Sequence, residues 1–168
     1  IWRYQLLPLL DLITPNLPEL ALLSQLPLAE VDSQAEQLLQ WEAKAVLIKG
    51  GHSNSTTDIT DHFISPNSRL KLTQPRLSTV HNHGTGCVLS SAIAAACAHG
   101  YALADSTIIG RAYLQQALSC SYATGKGAGS LQHHGWPVTA CYFPQLQRKD
   151  EASGVFEELK DFWKNYLW

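Results

Sequence analysis

Apolar and polar positions form two kinds of segment along the chain. The stretches "LLDLITPN" (residues 9–16) and "AKAVLIKGG" (43–51) are short apolar runs that end in turn residues, a pattern that predicts buried strands. Because the second run is apolar throughout rather than alternating, we expect a parallel strand covered on both faces. "TTDITDHFIS" and "SRLKLTQP" alternate instead, and with a turn at residues 65–68 they predict a hairpin.

Helical patterns separate and follow these strands. Pro18 and Glu19 suit the first turn of a helix that continues to about Ser24. Asp32 or Ser33 is expected to cap a second helix. Strands that alternate with helices in this way indicate an open α/β fold.

A segment of small residues, "HGTGCVLSSAIAAACAHG", occupies residues 83–100. Two close glycines open it, and small side chains then lie on every side of a predicted helix over residues 88–98, so we expect this helix to be buried. Asp105 is expected to cap the next helix, from residue 106 to about 124, and the glycine loop "GKGAGS" (125–130) follows it.

The pattern changes beyond Trp136. "QRKDEASG" predicts a polar linker, and "VFEELKDFWKNYLW" carries apolar residues at helical spacing, which predicts an amphipathic helix. We therefore predict one domain over residues 1–136, followed by a linker and a helix over 137–168 that can lead to a fused domain.

Composition narrows the classes of partner. The formal charge is −2 and only 15% of residues are charged, which favours neither nucleic acid nor an anionic membrane as a partner. The four cysteines are scattered, without a C-x-x-C pair, so a reducing cytoplasm is the expected location. Because the sequence begins with Ile1 and contains no methionine, we expect it to be part of a longer polypeptide.

Three features are predicted to face one crevice. In open α/β sheets, ligands bind outside the carboxyl ends of the strands, where Asn16 and Lys49 lie. The glycine turn at 84–86 begins a helix, whose first N–H groups and partial positive charge form an anion site. The same charge favours the ionised thiol of Cys87, which could then accept a proton or act as a nucleophile.

Other interpretations of these residues remain open. The glycine spacing matches neither a P-loop nor a dinucleotide fingerprint. Cys87 also suits a small buried apolar position, Lys49 an exposed strand end, and the glycine loop a plain flexible turn. Four histidines are expected to face solvent or stabilise loops rather than bind metal: His81, His83, His133 and His134.

Three motifs together carry a family resemblance. "LITPNLPE", "VLIKGGH" and "HGTGCVLSSAIAA", in this order and spacing, resemble the hydroxymethylpyrimidine/phosphomethylpyrimidine kinases of thiamine biosynthesis, within the ribokinase-like superfamily. "GKGAGSLQHH" resembles the glycine loop of the same family, so the similarity covers about Leu6 to His134. The resemblance implies a ribokinase-like three-layer α/β sandwich, here without the N-terminal portion that grips the pyrimidine.

The resemblance also implies a reaction and roles. The family uses ATP and Mg²⁺ to phosphorylate a pyrimidine alcohol and then its monophosphate. Cys87 would be the catalytic base, and Glu19 would lie near the metal. The remaining residues would hold phosphate: Gly84, Thr85 and Gly86 as an anion hole, and Asn16, Lys49, Gly125, Gly127 and Gly129 around ATP.

One departure and several alternatives accompany the resemblance. Val88 stands where the family has threonine, which removes a hydroxyl near the phosphates. The chain alone is expected to be inactive, and the fused domain could be a thiamine-phosphate synthase. A pyridoxal kinase is one alternative. A non-catalytic binding or dimerisation module is another, because exposed sheet edges can pair two copies of the chain as a homodimer. A thiol hydrolase lacks a histidine partner at a recognisable spacing.

Overall fold

The computed structural model describes residues 1–27, 31–52, 55–133, 135 and 139–166, with His52 described by its backbone alone. The chain divides into two compact units, which are Ile1–Gln74 with Gln145–Leu159, and Pro75–Pro144 with Lys160–Trp168. These are called the first and second unit below. His134 and Trp136, which the sequence analysis singled out, lie outside the described residues.

The first unit contains two helices and one sheet. The helices are α1 (Leu17–Ser24) and α2 (Val31–Gln40). The strands follow in the spatial order β1 (Val46–Ile48), β2 (Asp58–Ser65), β3 (Ser68–Pro75), β4 (Gln145–Lys149) and β5 (Phe156–Glu158). The predicted hairpin is confirmed as β2 and β3.

Strand β1 is wholly buried, as its apolar run predicts, but its pairing is mixed. It runs antiparallel to β2, with Leu47 opposite Phe63. On its other side Ile13 and Asn16 form parallel bridges with Val46 and Lys49. The predicted strand at residues 9–16 is therefore a short parallel pairing rather than a full strand.

An apolar core lies between the helices and β1. Leu20 of α1 and Leu38 of α2 are fully buried and belong to the same cluster as Val46 and Ile48. Helix α2 begins at Val31, so Asp32 and Ser33 lie in its first turn, and the prediction that one of them caps the helix is wrong.

The second unit is built around the packing of α3 (Thr85–Ala98) against α4 (Leu103–Ser119). Gly110 of α4 permits a close approach, because a Cβ there would lie 2.6 Å from the Cγ1 of Ile93. Only one face of α3 is buried: Leu89, Ala92, Ile93 and Ala96. The prediction that α3 is buried on all sides is wrong, since the opposite face, including Cys87 and Cys97, is exposed.

Helix α4 begins and ends earlier than predicted. It starts at Leu103, so Asp105 lies in its first turn and does not cap it. The Asp105 carboxylate instead accepts a hydrogen bond from the Tyr166 hydroxyl at 2.6 Å. The helix ends at Ser119, and Tyr122, within the range predicted to be helical, lies beyond it and is 49% exposed.

The amphipathic helix predicted near the end of the chain is wrong. Its first residues form β5, which pairs antiparallel with β4, and its later residues form a 3₁₀ turn at Phe162–Asn165. The sequence called a linker contributes to β4. One edge of β3 would be unpaired without this tail, and its backbone groups form hydrogen bonds with β4 instead. Local periodicity does not reveal such long-range partners.

None of the helices formed by the described residues has the length and apolar character needed to span a bilayer.

Two leucines in α1 offer a matched test of this core. Leu20 is fully buried and Leu22 is 80% exposed. We expect Leu20→Ala to lower the free energy of unfolding by about 2–5 kcal/mol, because it leaves a cavity, and Leu22→Ala to change it by less than about 0.5 kcal/mol. Urea unfolding measures both, and equal losses would contradict the described packing of α1.

Candidate active site

Asn16 and Glu19 form a reciprocal cap at the start of α1. The Glu19 N–H donates to Asn16 Oδ1 at 2.8 Å, and the Asn16 N–H donates to Glu19 Oε2 at 2.8 Å. The sequence Asn-x-x-Glu is the signature of this capping box. The cap fixes both side chains at the amino end of the helix.

Lys49 joins this group through backbone pairing. Its N–H donates to the Pro15 carbonyl at 2.9 Å, which aligns the end of β1 with the start of α1. Its Nζ then lies 3.7 Å from Glu19 Oε2, and its side chain is 23% exposed. The alternative of a merely exposed strand-end lysine is therefore not favoured, and the structure brings Asn16, Glu19 and Lys49 together.

A buried carboxylate, missed by the sequence analysis, holds the turn after Lys49. Asp61 of β2 is 2% exposed, and its Oδ1 accepts the Gly50 N–H at 2.7 Å. Gly50 is required there, because a Cβ would collide with the Thr60 carbonyl oxygen. The burial of Asp61 could have been predicted from the alternation of side chains along a strand, which places it on the same face of β2 as Ile59 and Phe63.

A cavity of about 550 Å³ lies in the first unit beside Gly50. Leu17, Val31 and Ile48 supply apolar lining, and Thr60 and His62 supply polar lining. Burial, reinforced by the charge of Lys71, lowers the pKa of His62, against the opposing effects of Asp32 and Asp61. The neutral imidazole is therefore favoured in this cavity at neutral pH.

The glycine turn of the second unit begins α3. Gly84 is the N-cap residue, with φ of +82°, a left-handed conformation that favours glycine. The first helical hydrogen bond is donated by the Val88 N–H to the Gly84 carbonyl at 2.9 Å. The N–H groups of Thr85, Gly86 and Cys87 precede it and so have no acceptor within the helix. This end of α3 has the backbone geometry of an anion site.

Cys87 lies in the first turn of α3 and is exposed. The alternative that it is a small buried apolar residue is therefore wrong. Cys97, ten residues further along α3, is exposed as well. A thiol beside amides that have no acceptor within their helix can act on a ligand held by those amides.

The three glycines of the loop differ in their surroundings. Gly125 and Gly127 are exposed, and a Cβ on either would meet open space. Gly129 is buried, and a Cβ there would lie 2.6 Å from His81 Nδ1 and would collide with the Tyr122 carbonyl oxygen. The loop is therefore fixed at Gly129 by close contacts with His81 and Tyr122. A plain flexible turn would not require such contacts.

The predicted residues fall into two groups. Asn16, Glu19 and Lys49 lie together in the first unit, whereas the turn at 84–87 and the glycine loop lie in the second. That both groups face one crevice stays a prediction. Across the described residues, no three His, Cys, Asp or Glu side chains are grouped to bind a metal by themselves.

Comparison with known proteins assigns the family. The model for phosphomethylpyrimidine kinase matches residues 2–132. The chain belongs to the phosphomethylpyrimidine kinase family. The kinase of Rhizobium meliloti named hydroxymethylpyrimidine/phosphomethylpyrimidine kinase is 40% identical over 139 residues, which is 79% of this chain and 52% of the relative. Its namesake in Bacillus subtilis is 32% identical over 131 residues, 76% of this chain and 48% of the relative. The chain thus spans about half the length of these curated relatives.

Solved structures place this family member in the ribokinase-like fold. The pyridoxal kinase of Staphylococcus aureus in complex with AMP-PCP and pyridoxal superposes with a TM-score of 0.76 at 22% identity, covering 94% of this chain and 56% of that one. An ADP complex of the Bacillus subtilis pyridoxal kinase gives 0.72 at 26% identity, covering 79% and 53%. The predicted α/β ribokinase-like fold is confirmed.

Two neighbouring glycines test the turn after Lys49. We expect Gly50→Ala to destabilise the protein by about 1–3 kcal/mol, because its Cβ meets the backbone of β2 and not a movable side chain. Gly51→Ala is the control, since a Cβ at that position has open space around it. Thermal and urea unfolding compare the two, and an equal response would show that β2 does not confine this turn.

Proposed function

We propose that the protein transfers the γ-phosphoryl group of ATP to the hydroxymethyl group of 4-amino-5-hydroxymethyl-2-methylpyrimidine, and then to the resulting monophosphate, in thiamine biosynthesis. One observation carries the proposal: in a member of this kinase family, an exposed thiol lies beside three N–H groups that have no acceptor within their helix. Phosphoryl transfer requires positioning and stabilisation of charge, which this arrangement supplies.

The turn at 84–87 is proposed as the anion hole for the transferring group. The amides of Thr85, Gly86 and Cys87 would donate to its equatorial oxygens, and Gly84 lets the backbone approach them closely. Because these donors are fixed by the helix, they need no rearrangement as negative charge develops. Val88 adds only an apolar side chain after this turn, so the amides carry the interaction.

Cys87 is proposed as the base. Its Sγ would take the proton of the substrate hydroxyl as that oxygen forms a bond to the γ-phosphorus. The bond from the γ-phosphorus to the bridging oxygen breaks, and ADP leaves with that electron pair. The exposure of Cys87 supports the role, since a substrate must reach the sulfur.

The first-unit group is proposed to act on the phosphates and the metal. The Lys49 ammonium suits phosphate oxygens, and the Asn16 amide lies at the same helix end. The half-exposed Glu19 carboxylate is a hard oxygen donor, so the residues present fit Mg²⁺, which binds few protein groups together with phosphate and water. When bound, Mg²⁺ would neutralise phosphate charge. Gly125, Gly127 and Gly129 are proposed to border the nucleotide.

A cytoplasmic location and a homodimer complete the proposal. The cysteines of the chain are free, as a reducing compartment allows. Strand β5 is the last strand of the described sheet, and an edge strand of this kind can pair with a second copy of the chain.

A pyridoxal kinase is the second candidate. The Bacillus subtilis pyridoxal kinase, solved with ADP, is 26% identical to this chain. Pyridoxal and the pyrimidine are both aromatic heterocycles that carry a hydroxymethyl group, so the same phosphoryl chemistry serves either. The names of the curated relatives favour the pyrimidine.

Substrate choice is decided by direct comparison of the two alcohols as substrates of the native protein. We expect kcat/KM for the pyrimidine alcohol to exceed that for pyridoxal by at least about tenfold, a difference of about 1.4 kcal/mol in transition-state binding. Coupled detection of ADP measures both. The reverse order would establish the pyridoxal kinase, and hydrolysis of an ester without ATP would revive the thiol hydrolase.

Two cysteines on the exposed face of α3 test the base. We expect Cys87→Ala to lower kcat by about 10²–10⁴-fold, because the substrate proton loses its acceptor, while the dissociation constant for AMP-PCP changes little. Cys97→Ala should leave both quantities unchanged, because its thiol lies nearly three helical turns beyond the anion hole. Steady-state kinetics and calorimetry give the two readouts, and an unaffected kcat in Cys87→Ala would remove the sulfur from the mechanism.

A further inference from the structure

We propose that His81 is a positioning residue for the nucleotide site. Its Nδ1 accepts a hydrogen bond from the glycine loop, residues 125–130, and so attaches this loop to the segment before Gly84, where the proposed anion hole begins. The inference rests on the proposed function, because that function assigns the loop to the nucleotide. Every contact that carries it lies within the second unit.

The central contact is a hydrogen bond across 48 residues of sequence. The Gly129 N–H donates to His81 Nδ1 at 2.9 Å. Gly129 is buried, whereas the preceding loop residues, from Gly125 to Ala128, are exposed. The loop is therefore attached at one end and accessible along the rest of its length.

Further hydrogen bonds close the base of the loop. Tyr122 and Ser130 exchange two backbone hydrogen bonds, each of 3.0 Å. The hydroxyls of Thr79 and Ser121 are 3.1 Å apart. The His81 N–H also donates to Thr79 Oγ1 at 3.1 Å, so the histidine is linked to the hydroxyl pair of Thr79 and Ser121. The loop base and residues 79–81 thus form one hydrogen-bonded unit.

The contact fixes the form of the imidazole. To accept from Gly129, Nδ1 must carry no proton, so the neutral ring is protonated at Nε2. Asparagine places its Oδ1 the same number of bonds from Cβ as Nδ1, and so can accept the same N–H. Alanine cannot, and would leave the buried Gly129 amide without this partner.

The position of the contact gives it a consequence for binding. The hydrogen bond from the Gly129 N–H to His81 Nδ1 is called the staple below. Because His81 lies three residues before Gly84, the staple couples the loop to the start of α3. Loss of the staple would let the loop separate from this segment. Nucleotide affinity should then fall, whereas a base at Cys87 would remain in place, so KM for ATP should change more than kcat.

Three variants test the staple: His81→Ala, His81→Asn and, as a control, His83→Ala, whose side chain is exposed. Amide hydrogen exchange at Gly129 reports the contact itself, and calorimetric titration with AMP-PCP reports nucleotide affinity. We expect His81→Ala to speed exchange at Gly129 and to weaken AMP-PCP binding by about tenfold, the factor that corresponds to about 1.4 kcal/mol. His81→Asn and His83→Ala should stay within about twofold of the wild type.

The outcomes separate the staple from the proposed function. Unchanged exchange at Gly129 in His81→Ala overturns the staple. Faster exchange with unchanged AMP-PCP affinity overturns its positioning role and leaves the nucleotide site standing. A wild-type protein that binds no AMP-PCP overturns the proposed function, and with it the role in nucleotide binding. A ¹⁵N–¹H spectrum of the wild-type imidazole needs no variant, and a proton on Nδ1 at neutral pH would overturn the contact.

Discussion

The backbone hydrogen bond from Lys49 to Pro15 organises the first unit around its functional residues. It belongs to the parallel pairing that sets the segment before α1 alongside β1. Through it, the amino end of a helix and the carboxyl end of a strand meet, and Glu19 comes within reach of Lys49. A half-exposed ion pair of this kind contributes only about 0–1 kcal/mol, so the pairing of the backbone, and not the attraction of the charges, determines the arrangement.

The second unit reaches a comparable result by a different route. Its amides without a helical acceptor come from a helix start at a left-handed glycine, and its loop is held by a hydrogen bond to a histidine and by the close approach at Gly129. In both units a glycine permits a backbone contact that any side chain would block. The chemistry-bearing side chains, Lys49 and Cys87, are then presented by backbone that packing has already fixed.

Local patterns predicted most of the elements that carry these residues. The start of α1, the buried β1, the hairpin and the helix after the glycine turn all follow from short stretches of sequence, whereas the cap formed by Asn16 and Glu19 was not predicted. The contacts of Asp61 and His81 were not predicted, because each joins segments that are distant in sequence. The tail was misassigned for the same reason: its apolar spacing suits a helix in isolation, but pairing with β3 and β4 decides its structure. The burial of α3 was overestimated because small residues suit two environments: one face of the helix packs closely against α4, and the other is exposed to solvent.

The discontinuous chain path of the first unit has a consequence for biosynthesis. Strands β4 and β5 are translated only after all of residues 75–144, although they complete a sheet whose other strands come earlier. A nascent chain therefore carries β3 with one unpaired edge while the second unit emerges from the ribosome. Until β4 is synthesised, that edge is therefore open to pairing with a strand of another nascent chain.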